Sequence, residues 1–395
     1  MAEILPFHGV IYDAKRVKPA DVLTQPYDKI TTEMRERYLK QSPYNLVQIE
    51  LGKEQPGDSD SNNKYTRARD LYRQWLKEGV LRKSAKPAFY WLEQIFDGKT
   101  RRGLIAAVKL HRWDECVVMP HEHTLSKPKA DRLSLLREVG SQQGQIFMLH
   151  PDPIPKPKLG APLYELVDDY NVTNKLYEVL ETGDIQAAIA PQKLYIADGH
   201  HRYETSLAFR DEAGTEASKY VMATLVDMND PGLVVLPTHR TVSHLMGFDR
   251  QAFAGKLAQN FEVTRQTTVK PEMIGMYDGE SFYSLRPKKD LRPLFAGKPP
   301  LWDTLDVAIL HVAILEALLG IGEKHLREES NVTYWREPEK AVAEVKAGKA
   351  QLAFFLAPTP VSDVKAISDA HSRMPQKSTD FYPKLLSGMV IYEVR

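Results

Sequence analysis

The segment with the clearest capacity for chemistry is Asp198-Gly199-His200-His201-Arg202. An arginine can hold a phosphate or carboxylate through two parallel hydrogen bonds, and imidazoles can gain a proton near neutral pH. The alternative is a surface turn whose histidines are only solvated. We predict an anion site, with phosphate as the ligand, formed by Asp198, Gly199, His200, His201 and Arg202.

The flanking residues predict a strand before this motif and a helix after it. Leu194–Ala197 is a short apolar run typical of a buried strand, and Tyr203, Leu207 and Arg210 recur at helical spacing. Asp198 would then be the helix N-cap. The first turn of a helix carries N–H groups without intrahelical acceptors and a partial positive charge, so the predicted position favours an anion.

Further basic and hydroxyl side chains lie in loops next to apolar runs. Each of them alone could be a solvated surface residue. Several such loops around one helix N-terminus would form a polyanion pocket, in which lysine supplies a point charge and arginine a bidentate fork. The predicted phosphate or nucleotide site therefore also includes Lys127, Arg132, His239, Arg240, Lys377, Ser378 and Thr379.

Candidate acid–base residues come from several parts of the chain. Asp28 ends a predicted turn and has no evident structural duty beyond it, whereas Glu122 and His201 belong to polar stretches. A general base must come within hydrogen-bond reach of the hydroxyl that it deprotonates. We predict Asp28, Glu122 and His201 as the catalytic residues.

A permanent metal site is not predicted. His121 and His123 are spaced like two ligands on one face of a strand, but the sequence does not identify a third ligand. A magnesium ion carried in by a nucleotide needs only one or two carboxylates from the protein. The sequence also lacks the P-loop, the dinucleotide-binding glycine pattern and the nucleophile elbow of serine hydrolases.

Composition excludes several classes of partner. The formal net charge of the 395 residues is +1, and no basic helix or helix-turn-helix pattern is present, so we expect no nucleic-acid partner. Val307–Ile321 is apolar but too short to cross a bilayer, which predicts a buried helix. The N-terminus lacks a signal-peptide pattern and the single cysteine permits no internal disulfide, so we expect a cytoplasmic protein.

The order of predicted elements is that of a mixed α/β protein. Ala88–Phe96 and Gly103–Leu110 are predicted to pair as a hairpin, and Leu46–Leu51 is predicted to be a strand. The motif strand, its helix and the strand Tyr220–Asp227 have the spacing of a crossover unit. We divide the chain into an N-terminal α/β segment (1–150), a core with the motif (151–245) and a C-terminal α/β segment that closes the site (246–395).

Six motifs in order resemble the DUF1015 family, whose members are uncharacterised bacterial and archaeal proteins. The resemblance spans nearly the whole chain. The motifs are Gln25–Asp28, Ser42–Asn45, the stretch from His121 to Arg132, Ala197–Tyr203, Pro237–Arg240 and Met374–Lys384.

The Asp-Gly-His-His-Arg element is also similar to the phosphate-binding motif of the ParB/sulfiredoxin-like superfamily, which includes free-serine kinases, sulfiredoxins and CTP-binding ParB proteins. This resemblance implies a ParB/sulfiredoxin-like core with a strand-turn-helix phosphate site and additional α/β elements. It implies that Gly199–Arg202 bind phosphate and that Asp28 or Glu122 is the base. The motif here lacks the sulfiredoxin cysteine, which argues against sulfinic-acid repair.

The resulting hypothesis is phosphoryl transfer on a small metabolite, most concretely by a nucleotide-dependent kinase of free serine or a similar hydroxy amino acid. The expected ligands are the small-molecule substrate and ATP or ADP with Mg²⁺, with no membrane partner. A non-catalytic nucleotide-binding regulator of ParB type and a phosphatase of a small phosphomonoester are the alternatives. The sequence leaves the oligomeric state open.

Overall fold

The computed structural model describes the backbone of residues 1–122, 126–268, 273–327 and 330–395, and their side chains except those at 126–128, 323 and 327. Helices and strands are mixed along the chain, which confirms the predicted α/β class. The strands are β1 (Ile4–Leu5), β2 (Val10–Tyr12), β3 (Leu81–Lys83), β4 (Phe89–Phe96), β5 (Lys99–Lys109), β6 (Val118–Met119), β7 (Ser141–Gln142), β8 (Ile146–His150), β9 (Tyr164–Val167), β10 (Thr173–Val179), β11 (Leu194–Asp198), β12 (Tyr220–Asp227), β13 (Val234–Leu236), β14 (His239–Val242), β15 (Phe261–Gln266), β16 (Ile274–Tyr277), β17 (Phe282–Pro287), β18 (Val332–Trp335), β19 (Leu352–Leu356), β20 (Asp380–Tyr382) and β21 (Tyr392–Glu393).

Most of the helices are short. They are α1 (Pro19–Val22), α2 (Thr32–Gln41), α3 (Val47–Glu50), α4 (Lys64–Lys77), α5 (Ser126–Val139), α6 (Gly183–Ile189), α7 (His200–Ala213), α8 (Arg250–Asn260), α9 (Asp306–Ile309), α10 (Ala317–Leu319), α11 (Glu323–Arg327), α12 (Pro338–Lys346) and α13 (Val361–Asp369). A π-helical stretch, Leu310–Glu316, joins α9 to α10 and is largely buried. Across the described residues, none of the helices has the length and apolarity that crossing a membrane requires.

The chain forms two compact units, called unit 1 and unit 2 below. Unit 1 contains Met1–Pro120, Thr124–Val234 and Pro383–Arg395, and unit 2 contains His121–His123 and Val235–Tyr382. The last 13 residues of the 395-residue chain therefore belong to the same unit as the first 120. The functional division at residues 150 and 245 stays a prediction.

Unit 1 is built on a nine-stranded sheet with the order β6-β11-β8-β12-β5-β4-β10-β9, to which β1 adds by pairing with β5. The predicted hairpin is confirmed, since β4 and β5 pair in antiparallel register from Phe96 opposite Lys99 to Tyr90 opposite Ile105. Inward-facing side chains such as Leu104, Ile146 and Ile196 form its core. The sheet thus gives the motif strand a rigid, buried support.

The predicted crossover unit is wrong. A crossover would place β11 and β12 parallel to each other. In the structure, β8 lies between them, and it is antiparallel to β11 but parallel to β12. The strands that flank α7 therefore run in opposite directions, which strand and helix spacing alone does not reveal.

The predicted strand at Leu46–Leu51 is also wrong, because residues Val47–Glu50 form α3. Apolar and polar side chains alternate from Val47 to Leu51, and so short a run fits a strand as well as a single helical turn. The Asn45 side chain supports the turn, since its Oδ1 accepts a hydrogen bond from the Val47 N–H at 3.0 Å. This difference matters for the site, since α3 carries Glu50.

Unit 2 contains a six-stranded sheet with the order β15-β17-β16-β19-β14-β18, and its neighbouring strands are antiparallel. Its core includes Phe355 and Ala353 of β19, against which Ala341 and Val345 of α12 pack. Helix α12 is amphipathic, with buried residues four apart on one face.

Candidate functional site

The motif lies at the predicted junction between a strand and a helix. Asp198 is the last residue of β11, and α7 begins at His200. The N-cap is Gly199 rather than Asp198, and no side chain caps the helix. Gly199 has a φ of 98°, a backbone conformation that glycine adopts without steric cost. The Asp198 carboxylate is therefore available for other contacts.

Two cations hold the Asp198 carboxylate. Arg202 Nη2 lies 3.0 Å from Oδ2, and Lys384 Nζ lies 3.2 Å from Oδ1. Burial alone would raise the pKa of Asp198, but Lys384 and Arg202 hold it well below its usual range, with Lys29 contributing at longer range. The carboxylate is thus ionised at neutral pH, and positive charge exceeds negative charge at the start of α7.

Arg202 is fixed in orientation. Its Nη1 donates to the carbonyl oxygen of Gln145, while Nη2 contacts Asp198. Only 15% of its side chain is exposed. A Cβ on Gly144 would lie 3.1 Å from Arg202 Nη1, so glycine there leaves room for the guanidinium. The Gln145 carbonyl group and Asp198 together fix the orientation of this cation.

Beside Arg202 lies a carboxylate that the sequence analysis missed. Glu50 of α3 is 5% exposed, and its Oε2 accepts a hydrogen bond from Arg132 Nη1 at 3.2 Å. Burial raises the pKa of Glu50, although Arg132 and Arg202 oppose that rise. A buried carboxyl group with a raised pKa is typical of a general base or acid.

The predicted ligand Arg132 lies in this network. Its Nη2 donates to the backbone oxygen of Glu50 at 2.9 Å and contacts Asp131 at 2.5 Å. The guanidinium also lies over the Tyr27 ring, 4.5 Å from its centroid. Burial alone would raise the pKa of Asp131, but the Arg132 charge lowers it to about 2.

Two cavities meet at Glu50 and Arg132. Both are partly open to solvent. One is lined by Arg202, Tyr27 and Gly144 in addition to this pair. The other is lined by side chains of both charges. Its charged lining residues are Arg35, Glu50, Glu54, Lys64, Asp131 and Arg132. Glu50 therefore lies between the motif arginine and an open, charged pocket.

The structure also describes the predicted residues Asp28, His200 and His201 of unit 1. Asp28 is exposed within the 3-10 turn Tyr27–Lys29 and acts electrostatically on Glu50. His200 is 5% exposed and His201 is partly exposed, both in the first turn of α7. The side chain of Lys127 lies outside the described residues.

Unit 2 brings a second set of predicted residues together. Arg240 is 1% exposed, and its Nη2 donates to the Lys377 carbonyl oxygen at 2.9 Å. The Lys377 N–H in turn donates to Glu122 Oε1 at 3.3 Å. His121 Nε2 lies 3.0 Å from Thr379 Oγ1. These contacts connect the polar stretches at 121–122, 239–240 and 377–379.

Burial controls the charges in this second set. It lowers the pKa of His239 to about 4, with Arg240 adding to the effect, so the imidazole is neutral at pH 7. Burial also lowers the pKa of Arg240 to about 10. Ser378 is 8% exposed and its carbonyl oxygen accepts a hydrogen bond from Thr359 Oγ1 at 2.7 Å.

His123, which was considered with His121 as a metal ligand, lies outside the described residues. Within the described parts of the chain, no group of three His, Cys, Asp or Glu side chains could hold a metal ion.

Residues 4–308 match the family described as "Protein of unknown function (DUF1015)". The chain belongs to this family. No curated protein matches it with significance. The solved structures of similar architecture include a free serine kinase variant in complex with ADP, with 13% identity, a TM-score of 0.37, and coverage of 73% of this chain and 92% of that one.

Two further solved structures are similar at the same level. A conserved hypothetical protein from Pyrococcus furiosus has 14% identity and a TM-score of 0.35, covering 71% of this chain and 90% of that one. SbnI with a C-terminal truncation, from Staphylococcus aureus, has 11% identity and a TM-score of 0.36, covering 72% of this chain and 85% of that one. Similarity this distant does not establish a shared activity.

Proposed function

We propose that this DUF1015 protein transfers a phosphoryl group to a small hydroxyl substrate, most concretely as a nucleotide-dependent kinase of free serine or a similar hydroxy amino acid. One observation carries the proposal. The buried carboxyl group of Glu50 lies between the Arg202 guanidinium and an open pocket lined by charges of both signs. That arrangement offers a donor site, a base and an acceptor site in sequence.

The start of α7 would hold the phosphates. Helix N-terminal amides, the fixed Arg202 guanidinium and Lys384 are the groups that such a ligand requires. ATP or ADP would be the donor, and Mg²⁺ would arrive with it. Carboxylate oxygens are the ligands that Mg²⁺ prefers, and Asp28 and Asp198 are the candidates that this segment offers.

The open pocket would hold the acceptor. A free amino acid carries one ammonium and one carboxylate group, and the pocket presents Arg35 and Lys64 together with Glu54 and Asp131. Lys64 Nζ already lies 3.1 Å from oxygens of both acids, so these charges are held in place. A zwitterion suits such a lining better than an apolar or singly charged molecule does.

In the reaction, the Glu50 carboxylate would accept the proton of the substrate hydroxyl. The hydroxyl oxygen would then form a bond to the terminal phosphorus, the bond between that phosphorus and its bridging oxygen would break, and the shortened nucleotide would keep the bonding electrons. Positioning and charge neutralisation supply most of the rate in such transfers. Asp28, Glu122 and His201 stay the alternatives predicted for acid–base roles.

Two measurements test this function. Calorimetric titration with ADP, ATP and phosphoserine should show binding, and incubation of serine with the nucleotide should yield phosphoserine. No heat with any of the three at millimolar concentration would refute the phosphate site. Binding without phosphoserine would instead support a non-catalytic nucleotide sensor, and release of inorganic phosphate from phosphoserine would support a phosphatase.

A further inference from the structure

The C-terminal segment Pro383–Arg395 is part of unit 1 although the family match ends at residue 308. Backbone hydrogen bonds fix it there: the Ser387 N–H donates to the Thr24 carbonyl oxygen at 2.9 Å, and the Gly388 N–H donates to that of Gln143 at 2.8 Å. The segment delivers Lys384 to Asp198 at the start of α7. It is therefore a structural part of the candidate site.

Two buried polar side chains of the central sheet bind the backbone of this segment at Pro383 and Lys384. Arg101 and Gln94 are each 1% exposed and lie opposite each other on β5 and β4. Arg101 Nη2 donates to the Pro383 carbonyl oxygen and to Gln94 Oε1. Gln94 Nε2 donates to the Lys384 carbonyl oxygen at 3.1 Å. Two consecutive carbonyl groups are thus anchored to the central sheet.

Burial of the Arg101 guanidinium costs free energy, and no carboxylate among the described residues forms an ion pair with it. Its Nη1 is buried and has no hydrogen-bond partner among the described residues. Its guanidinium lies over the Phe147 ring, 4.6 Å from the centroid, and interacts with Asp198 and Asp230 only at longer range. A buried cation with an orphaned donor destabilises a fold, so such a residue is expected to have another role.

The Lys384 side chain is also buried, beside the carboxylate that precedes α7. Only 8% of it is exposed, and its Nζ shares the Asp198 carboxylate with Arg202. Asp198 lies two residues before the first residue of α7, so both cations converge where the phosphate is proposed to bind. Arg101 adds positive potential at longer range, since it interacts electrostatically with Asp198.

We propose that Lys384 is a phosphate ligand of this site and that Arg101 is its positioning residue, acting through the carbonyl groups of Pro383 and Lys384. This inference rests on the proposed phosphate-binding function. It assigns the ligand class more narrowly, because two fixed cations beside the helix N-terminus favour a di- or triphosphate over a single phosphate group.

The experiment measures the affinity of the full-length protein for ADP and for inorganic phosphate by calorimetry. K384M should weaken ADP binding by about 10- to 100-fold, the range for one charged hydrogen bond. K384R should stay close to wild type because it keeps the charge. The matched control is K109M, since Lys109 also pairs with a carboxylate at 2.8 Å but lies at the other end of the strand that carries Arg101.

The positioning role is tested by a double-mutant cycle. R101M should weaken ADP binding by at least about fivefold alone, but by no more than about twofold in the K384M background. A merely structural loss would add fully in both backgrounds. Should R101M fail to fold, Q94M removes the bond to the Lys384 carbonyl group, and the same non-additivity is expected.

The outcomes separate this inference from the proposed function. Wild-type protein that binds neither ADP nor phosphate would overturn the phosphate site itself. Wild-type binding together with an unchanged K384M affinity would overturn only the role of Lys384. Full additivity of K384M with R101M or Q94M would overturn the positioning role. Equal affinity for ADP and inorganic phosphate would overturn the preference for a polyphosphate.

Discussion

Replacing Glu50 by glutamine is the perturbation that best tests the proposed chemistry. E50Q keeps the shape of the side chain and removes its charge. Arg132 would not be stranded, because it also donates to the Glu50 backbone oxygen at 2.9 Å and pairs with Asp131. We therefore expect E50Q to fold normally, so that its kinetics report on chemistry.

Loss of a general base typically lowers the rate of the chemical step by about 10²- to 10⁴-fold. We expect kcat for phosphoserine formation to fall within this range in E50Q. Affinity for ADP should stay equal or rise slightly, because the substitution removes a negative charge that acts on Arg202 and Arg132. A large loss of kcat with intact nucleotide binding separates a base from a binding residue.

E50Q should also change how the thermal stability of the protein depends on pH. Burial raises the pKa of Glu50 above its ordinary value of 4.5, so the fold disfavours the ionised form. Below the ordinary pKa the carboxyl group is protonated in both the folded and the unfolded state, and the contribution of the neutral side chain to the stability of the fold is fully present. That contribution is lost as the pH rises through the raised pKa of the folded state. E50Q stays neutral, so its Tm should exceed that of wild type at about pH 8 and converge with it near about pH 4.

The matched control is E216Q, since Glu216 also pairs with a cation, Lys219, but its side chain is 86% exposed and lines neither cavity of the candidate site. E216Q should change neither kcat by more than a few fold nor the pH dependence of Tm. If E50Q retained wild-type kcat, Glu50 would not be the base. A lower Tm than wild type at high pH would contradict the argument from burial.

Four further predictions follow from the site geometry. R202A should weaken ADP binding by about 2 kcal/mol, the scale of a charged hydrogen bond, and an unchanged titration would place the phosphate elsewhere. G199A should lower the free energy of unfolding by about 1 kcal/mol, because φ at Gly199 is 98° and the new Cβ would lie 3.1 Å from Arg202 Nη2. Denaturant titration measures this free energy, and an unchanged midpoint would show that the turn relaxes. G144A should weaken ADP binding more than it lowers Tm, since its Cβ would lie 3.1 Å from Arg202 Nη1; equal effects of G144A and a surface Gly→Ala change would argue against this. The pKa of Asp131 is lowered from its ordinary value of 3.8 to about 2. Its carboxylate therefore stabilises the folded state above the ordinary pKa, and this stabilisation is lost as the pH falls toward 2. The Tm deficit of D131N should shrink across that interval, and a deficit independent of pH would refute the pairing with Arg132.

Local features of the site could be predicted from the sequence. The apolar run before Asp198 and the helical spacing after His200 fixed the strand and helix because both signals lie within one short window. The hairpin between β4 and β5 was predictable for the same reason, since its turn is encoded by adjacent residues. The predicted crossover is wrong because β8 lies between β11 and β12 in the sheet, and β8 precedes β11 by 44 residues or more along the chain.

The missed residues depend on contacts between distant segments. Glu50 was assigned to a strand, and only its burial against Arg132, 82 residues away, distinguishes it from other glutamates. Lys384 contacts Asp198 across 186 residues and belongs to a motif whose lysine at 377 looked equally suitable. Hydrophobic periodicity reports which face of an element is buried, but it does not report which partner is buried against it.

The return of the chain to unit 1 has a consequence for its biosynthesis. Unit 1 is interrupted by most of unit 2, and its final residues, Pro383–Arg395, are synthesised after all of unit 2. The buried apolar side chains Leu386, Val390 and Ile391 cannot take their places before then. Domains usually fold in order as they are synthesised. Here unit 1 can be completed only after all of unit 2 has been synthesised, so the site acquires Lys384 late in folding.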